Sequence, residues 1–172
     1  IQLTNYLAKK GYDITIVLEK KQGIFLEEVN SNIKIIEYSP NESKNVLKRK
    51  IINLCKKIKF IVKYKNKFDF SASFATYSLP ASFMARTCSK NNAIWGHADY
   101  LSLYNNDKDK MKNFFDKRKI KKFKKIIFVS KEGKESFIAV YPKLKDRVIT
   151  CNNLVNDKRI LNQAEEPVKD IK

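Results

Sequence analysis

The side chains that could do chemistry sit in three short segments, each placed where an apolar run gives out. Asn92-Ala93-Ile94-Trp95-Gly96 runs into His97, the single histidine of the chain, with Asp99 two residues on. Lys125 to Ser130 ends at Ser130 and Lys131, where a helical pattern begins. Arg147-Val148-Ile149-Thr150 runs into Cys151, Asn152 and Asn153. A histidine at a strand end can hydrogen-bond a ligand oxygen, and Asp99 can orient His97 or a substrate hydroxyl. Ser130 and Lys131 stand at a helix amino terminus, whose backbone N–H groups suit an anion. In open α/β sheets, ligands gather where strands end at their carboxyl ends, which is where all three segments fall. Each residue also has an ordinary role: an edge histidine, a loop aspartate, a helix cap at Ser130, and a simple turn at Asn152 and Asn153.

The elements that must position these residues follow from hydrophobic periodicity. Strands are predicted over 13–18, 33–38, 68–74, 92–96, 125–130 and 147–150, and helices over 1–10, 43–67, 79–89, 107–123 and 132–141. Lys9-Lys10-Gly11 gives the first helix a basic last turn and a glycine stop. In the long helix, Leu47, Ile51, Leu54, Ile58 and Ile61 recur by three and four, and this stripe is expected to face the core. Strands alternating with helices predict an α/β fold, Rossmann-like, with a mostly parallel sheet and helices on both faces. At 172 residues the chain is one domain's worth.

Composition narrows the partners. The formal net charge is +18, and 31 of the 36 basic residues are lysine. Lysine is a hydrated point charge, so this surface favours diffuse attraction to a negative field over bidentate reading of bases. Cys55, Cys88 and Cys151 are far apart and form no C-x-x-C pair, and with one histidine no zinc site is expected. A reducing, cytoplasmic setting fits them. No apolar run reaches the roughly 18 residues that would span a bilayer, and the first residues do not resemble a signal peptide.

The order of these segments resembles the amino-terminal domain of GT-B-fold glycosyltransferases of the retaining family 4. Leu7-Ala8-Lys9-Lys10-Gly11-Tyr12-Asp13-Ile14-Thr15-Ile16-Val17 is similar to the family's L-x-x-x-G-H-x-V-x-V segment. Val129-Ser130-Lys131-Glu132-Gly133 stands where the family has a V-S segment before a helix, and Val148 to Asn156 stands where it has a V-I-x-N-G-V-D turn. Asn153 replaces the glycine of that turn, a residue that tolerates a left-handed backbone nearly as well. Trp95-Gly96-His97-Ala98-Asp99 matches the place where many members carry a histidine after a strand.

The resemblance implies an acceptor-side domain over residues 1–156, with 157–172 leading toward a second domain. It also implies a first strand with a glycine-rich loop upstream of Ile1, central in the sheet. The parent reaction would be metal-independent transfer of a sugar from a nucleotide sugar to a glycan or lipid-linked acceptor, with retention of configuration. Bacterial surface polysaccharide or glycolipid assembly is the implied setting. His97 would lie in the cleft beside the transferred sugar as the catalytic-site residue, with Asp99, Ser130, Lys131, Asn152 and Asn153 binding substrate. No cofactor beyond the nucleotide sugar is implied. The chain alone is expected to be inactive, since the family binds the donor mainly through the carboxyl-terminal domain.

The basic helices offer a different class of function. Lys48, Arg49, Lys50, Lys56, Lys57, Lys59, Lys63 and Lys65 surround the 43–67 helix, and a second cluster runs from Lys117 to Lys125. Such surfaces attract anionic membranes, here the inner face of the cell membrane, or the phosphates of nucleic acid. The alternative to the enzyme is therefore a basic membrane- or nucleic-acid-binding module. Against nucleic acid, the sequence has no helix-turn-helix, RNP, KH or zinc pattern, and its aromatics fall mostly at strand and core-facing helix positions.

Overall fold

The computed structural model describes residues 1–155 and 157–165. Asn156 and residues 166–172, which include Pro167 of the expected linker, lie outside the described residues. In chain order the elements are α1 (Gln2–Lys9), β1 (Thr15–Leu18), β2 (Lys34–Glu37), α2 (Val46–Tyr64), β3 (Ser71–Ser73), α3 (Leu79–Cys88), β4 (Asn92–Gly96), α4 (Tyr100–Leu103), α5 (Lys108–Lys117), β5 (Lys125–Phe128), α6 (Lys131–Val140), β6 (Val148–Thr150) and α7 (Asp157–Ala164). Every strand pairing is parallel, so the chain is an α/β protein of Rossmann-like type. Helix α7 occupies part of the segment expected as a linker.

The strands divide into a two-stranded sheet, β1-β2, and a four-stranded sheet in the order β3-β4-β5-β6. Both contact helix α3. Val17 of β1 and Tyr38 after β2 pack against Phe60 of α2 and Met84 and Cys88 of α3. The Ser78 hydroxyl at the start of α3 donates to the Glu19 carboxylate just past β1.

Register explains the larger core. Ile94 is aligned with Ile126, and Ile126 with Val148, so all three point to one face of the four-stranded sheet. Tyr100 of α4, Met111 and Phe115 of α5, and Phe137 and Val140 of α6 close over that face. Phe128 joins them, with its ring centroid 5.3 Å from that of Phe137. Each fully buried aromatic here contributes about 2–3 kcal/mol of transfer free energy. The opposite face carries Trp95 aligned with Ile127, and Ile127 with Ile149.

Two sequence expectations need correction. The helix predicted over 107–123 ends at Lys117, because Lys119 takes a left-handed conformation at φ 55° and a 3₁₀ turn follows over Ile120–Lys122. The break lets Phe115, Ile120 and Phe123 all enter the core, which one straight helix would not present on one side. The second correction concerns α2. Leu47, Ile51, Leu54, Ile58 and Ile61 were expected in the core, yet the first four face solvent and only Ile61 is half-buried. The inward side of α2 is instead the one bearing Arg49, Asn53, Lys56 and Phe60. Asn53 accepts from the Asn41 N–H (2.6 Å) and donates to the Asn41 carbonyl (3.1 Å). Lys56 Nζ donates to the Ser39 carbonyl (2.6 Å) and Arg49 to the Ser43 carbonyl (3.3 Å). These ties to the β2–α2 loop hold the helix with its polar side in and its aliphatic ridge out.

Candidate functional site

Four adjacent parallel strands end side by side, and the predicted residues follow those ends. Gly96 is aligned with Phe128 and Phe128 with Thr150, so the segments starting at His97, Val129 and Cys151 leave the sheet at one level. The Val129 N–H bonds the Gly96 carbonyl (3.2 Å), and the Cys151 N–H bonds the Phe128 carbonyl (2.9 Å). His97, Ser130, Lys131, Asn152 and Asn153 therefore share the carboxyl edge of the sheet. His97, Lys131, Asn152 and Asn153 are exposed there.

His97 is oriented by the neighbouring strand. Its Nε2 lies 3.0 Å from the Phe74 carbonyl oxygen, and its ring meets the Phe74 ring edge-on at 4.5 Å. A carbonyl only accepts, so in the neutral ring Nε2 carries the proton and Nδ1 keeps its lone pair. Asp99 stands two residues beyond His97. It caps α4, accepting from the N–H groups of Leu101 (3.0 Å) and Ser102 (3.3 Å) through one oxygen. Ser130 caps α6 through the Gly133 N–H (3.1 Å). Lys131 opens that helix, with exposed Glu132 beside it.

The loop from β3 to α3 forms the other wall, and sequence reasoning missed its role. Phe74, 49% exposed, presents its ring against His97, and Tyr77, 79% exposed, follows in the same loop. Thr76 is buried, with its hydroxyl donating to the Trp95 carbonyl. Arg118 fastens this loop from below. Its guanidinium donates to the carbonyls of Thr76, Tyr77 (2.7 Å) and Phe114 (2.6 Å), and lies 3.4 Å from the Phe114 ring centroid. Burial pushes its pKa below the ordinary arginine value, while the nearby Tyr104 and Tyr100 pull the other way. The signal in the sequence was one arginine within a run of lysines, Lys117-Arg118-Lys119.

Two glycines allow the close approach of these pieces. A Cβ at Gly96 would stand 2.6 Å from Phe128 Cε1. A Cβ at Gly133 would stand 3.1 Å from Phe128 Cδ1 and 3.2 Å from the Ala98 carbonyl oxygen. The segment after His97 is thus laid directly on the first turn of α6.

Among the described residues, no group of three or more His, Cys, Asp or Glu is placed to hold a metal ion. A separate open groove of about 560 Å³ lies near the amino ends of β5 and β6, among Lys112, Asp116, Lys121, Tyr141, Lys143 and Arg147. It contains none of the predicted site residues. Tyr141 there donates to the Lys112 carbonyl (3.0 Å) and to Asp116 (3.3 Å), and burial, aided by Asp116, raises its pKa.

The carboxyl edge thus offers one imidazole acceptor, one ammonium at a helix amino terminus, exposed amides and an aromatic wall. Such groups can hold a polyhydroxylated, anionic ligand by hydrogen bonds and charge. No protein-family model matches the sequence, and no curated protein matches it at a significant level.

Proposed function

We propose that this domain is the acceptor side of a retaining, metal-independent glycosyltransferase that takes its sugar from a nucleotide-sugar donor. The observation that carries the reading is the convergence of His97, Ser130, Lys131, Asn152 and Asn153 on one sheet edge, in the order in which the resembling family carries its cleft segments. His97 Nδ1 accepts a hydrogen bond from a sugar hydroxyl, with its ring held by the Phe74 carbonyl. Lys131 and the first turn of α6 face the donor diphosphate, where positive charge and aligned N–H groups offset developing negative charge. Asn152 and Asn153 bind sugar hydroxyls, and Phe74 and Tyr77 offer faces against which a sugar ring can stack. In the resembling family a second domain supplies most of the donor contacts, so binding rather than turnover is the appropriate readout for residues 1–172.

The test is saturation-transfer NMR with UDP-glucose, GDP-mannose and short oligosaccharides, on the wild type and on His97→Ala and Lys131→Ala. Saturation of a sugar or diphosphate-sugar ligand that weakens several-fold in both variants is expected. Absence of saturation across the panel, or saturation unchanged by both substitutions, would overturn the proposal.

A further inference from the structure

Helix α2 grips the body of the protein through polar side chains and turns an aliphatic ridge to solvent. Leu47, Ile51, Leu54 and Ile58 are 68%, 54%, 58% and 51% exposed, and Val62 continues the ridge at 79%. Their spacing of three and four makes one line along a 19-residue helix. At about 100° per residue, Lys50 and Lys57 border this line on one side and Lys48 and Lys59 on the other. All four lysines are exposed. The ridge cannot roll inward, because Arg49, Asn53 and Lys56 are bonded to the β2–α2 loop and Phe60 is buried behind them.

An aliphatic ridge with lysines on both margins fits the boundary between lipid headgroups and acyl chains. The aliphatic side chains enter below the phosphates, while the lysine stems lie along them and extend their ammonium groups up to the phosphates. The net charge of +18 adds long-range attraction to an anionic surface. Among the described residues no helix is long and apolar enough to cross a membrane, so the fit is to lie on one. A second copy is a poor occupant. Helix α2 contains no acidic residue, and pairing it with itself would set lysine rows against lysine rows.

We propose that α2 is a membrane-docking helix that lies on an anionic lipid surface through Leu47, Ile51, Leu54 and Ile58. This inference does not rest on the glycosyltransferase reading. The test is co-sedimentation with vesicles of phosphatidylcholine alone or mixed equally with phosphatidylglycerol, at roughly physiological salt. Light scattering of the free protein reports its oligomeric state. The variants are Leu54→Glu/Ile58→Glu and Lys48→Gln/Lys50→Gln/Lys57→Gln/Lys59→Gln, with folding checked by circular dichroism. The wild type is expected to partition into the anionic vesicles at least tenfold more strongly than into neutral ones. Each variant, still folded, is expected to lose at least tenfold of that partitioning. Three results would overturn the proposal: no binding to anionic vesicles, binding that survives the two glutamates, or a dimer in solution that the two glutamates dissociate. Release from vesicles by an oligonucleotide, with tighter retention of the oligonucleotide than of lipid, would overturn it too.

Discussion

His97 Nε2 lies 3.0 Å from the carbonyl oxygen of Phe74, a residue 23 positions earlier that follows the adjacent strand. The contact ties the ends of β3 and β4 together and fixes the tautomer of the only imidazole in the chain. Nitrogen-detected NMR of the imidazole should therefore show the Nε2–H form at pH values where the ring is neutral. A dominant Nδ1–H form would mean that the Phe74 carbonyl does not hold the ring. Phe74→Ala should leave that tautomer unchanged, because the partner is a backbone oxygen, while removing the edge-on ring contact.

Arg118 should prove more costly to lose than any lysine around it. It is 6% exposed, and its three carbonyl partners would be left unpaired by Arg118→Leu. We expect a loss of about 3 kcal/mol in chemical denaturation, with Arg118→Lys losing part of it, since an ammonium still donates to some of these carbonyls but cannot reproduce a planar fork. The same variant should loosen the Phe74–Ser78 loop, seen as faster amide exchange there. A loss below 0.5 kcal/mol, in the range of an ordinary surface substitution, would show that the guanidinium is not the fastener described.

Gly96→Ala should destabilise by about 1–3 kcal/mol through overpacking. The added methyl would meet the ring of Phe128, which is fully buried and has nowhere to turn. A double variant with Phe128→Leu should recover part of the loss, because the smaller side chain vacates that space. Thermal or urea denaturation of the three proteins measures both effects.

The cysteines should separate by reactivity. Cys55 and Cys151 are exposed and should react with a thiol reagent at once, whereas Cys88 is buried and should react only as the protein opens. Burial raises the Cys88 pKa from 9.0 to about 11. The sign follows from linkage: between those values the unfolded chain has released the proton and the folded chain has kept it. The Cys88 contribution to stability is thus whole below about pH 9 and declines as pH rises toward 11. Cys88→Ala should flatten that part of the pH–stability curve.

The parts of the fold most legible in the sequence were those with one unambiguous face. Strand β4 was predicted at its observed bounds, because Ala93 and Ile94 form an apolar run closed by Gly96. Helix α3 was announced by Pro80 in its first turn, and Ser78 caps it. The orientation of α2 was hidden, since Ile52 and Phe60 lie on a different side from Leu47, Ile51, Leu54, Ile58 and Ile61. Side-chain ties from Asn53 and Lys56 back to the loop that leads into the helix made the choice, and periodicity carries no trace of them. In the sequence Asp99 reads as a residue orienting His97 or a substrate hydroxyl, or as a loop aspartate, and its role as the cap of α4 is not legible because that short helix is not predicted. The wall built from Phe74, Tyr77 and Arg118 required knowing that β3 lies beside β4, a fact of topology rather than of local pattern.

The most direct test of the central claim is an amide chemical-shift map of the protein titrated with a nucleotide sugar and with a short oligosaccharide. Shifts should concentrate at residues 74–78, 97–99, 130–133 and 151–153, the ends of four neighbouring strands. Shifts confined to the groove near Tyr141 and Arg147, or no shifts at millimolar ligand, would contradict that claim.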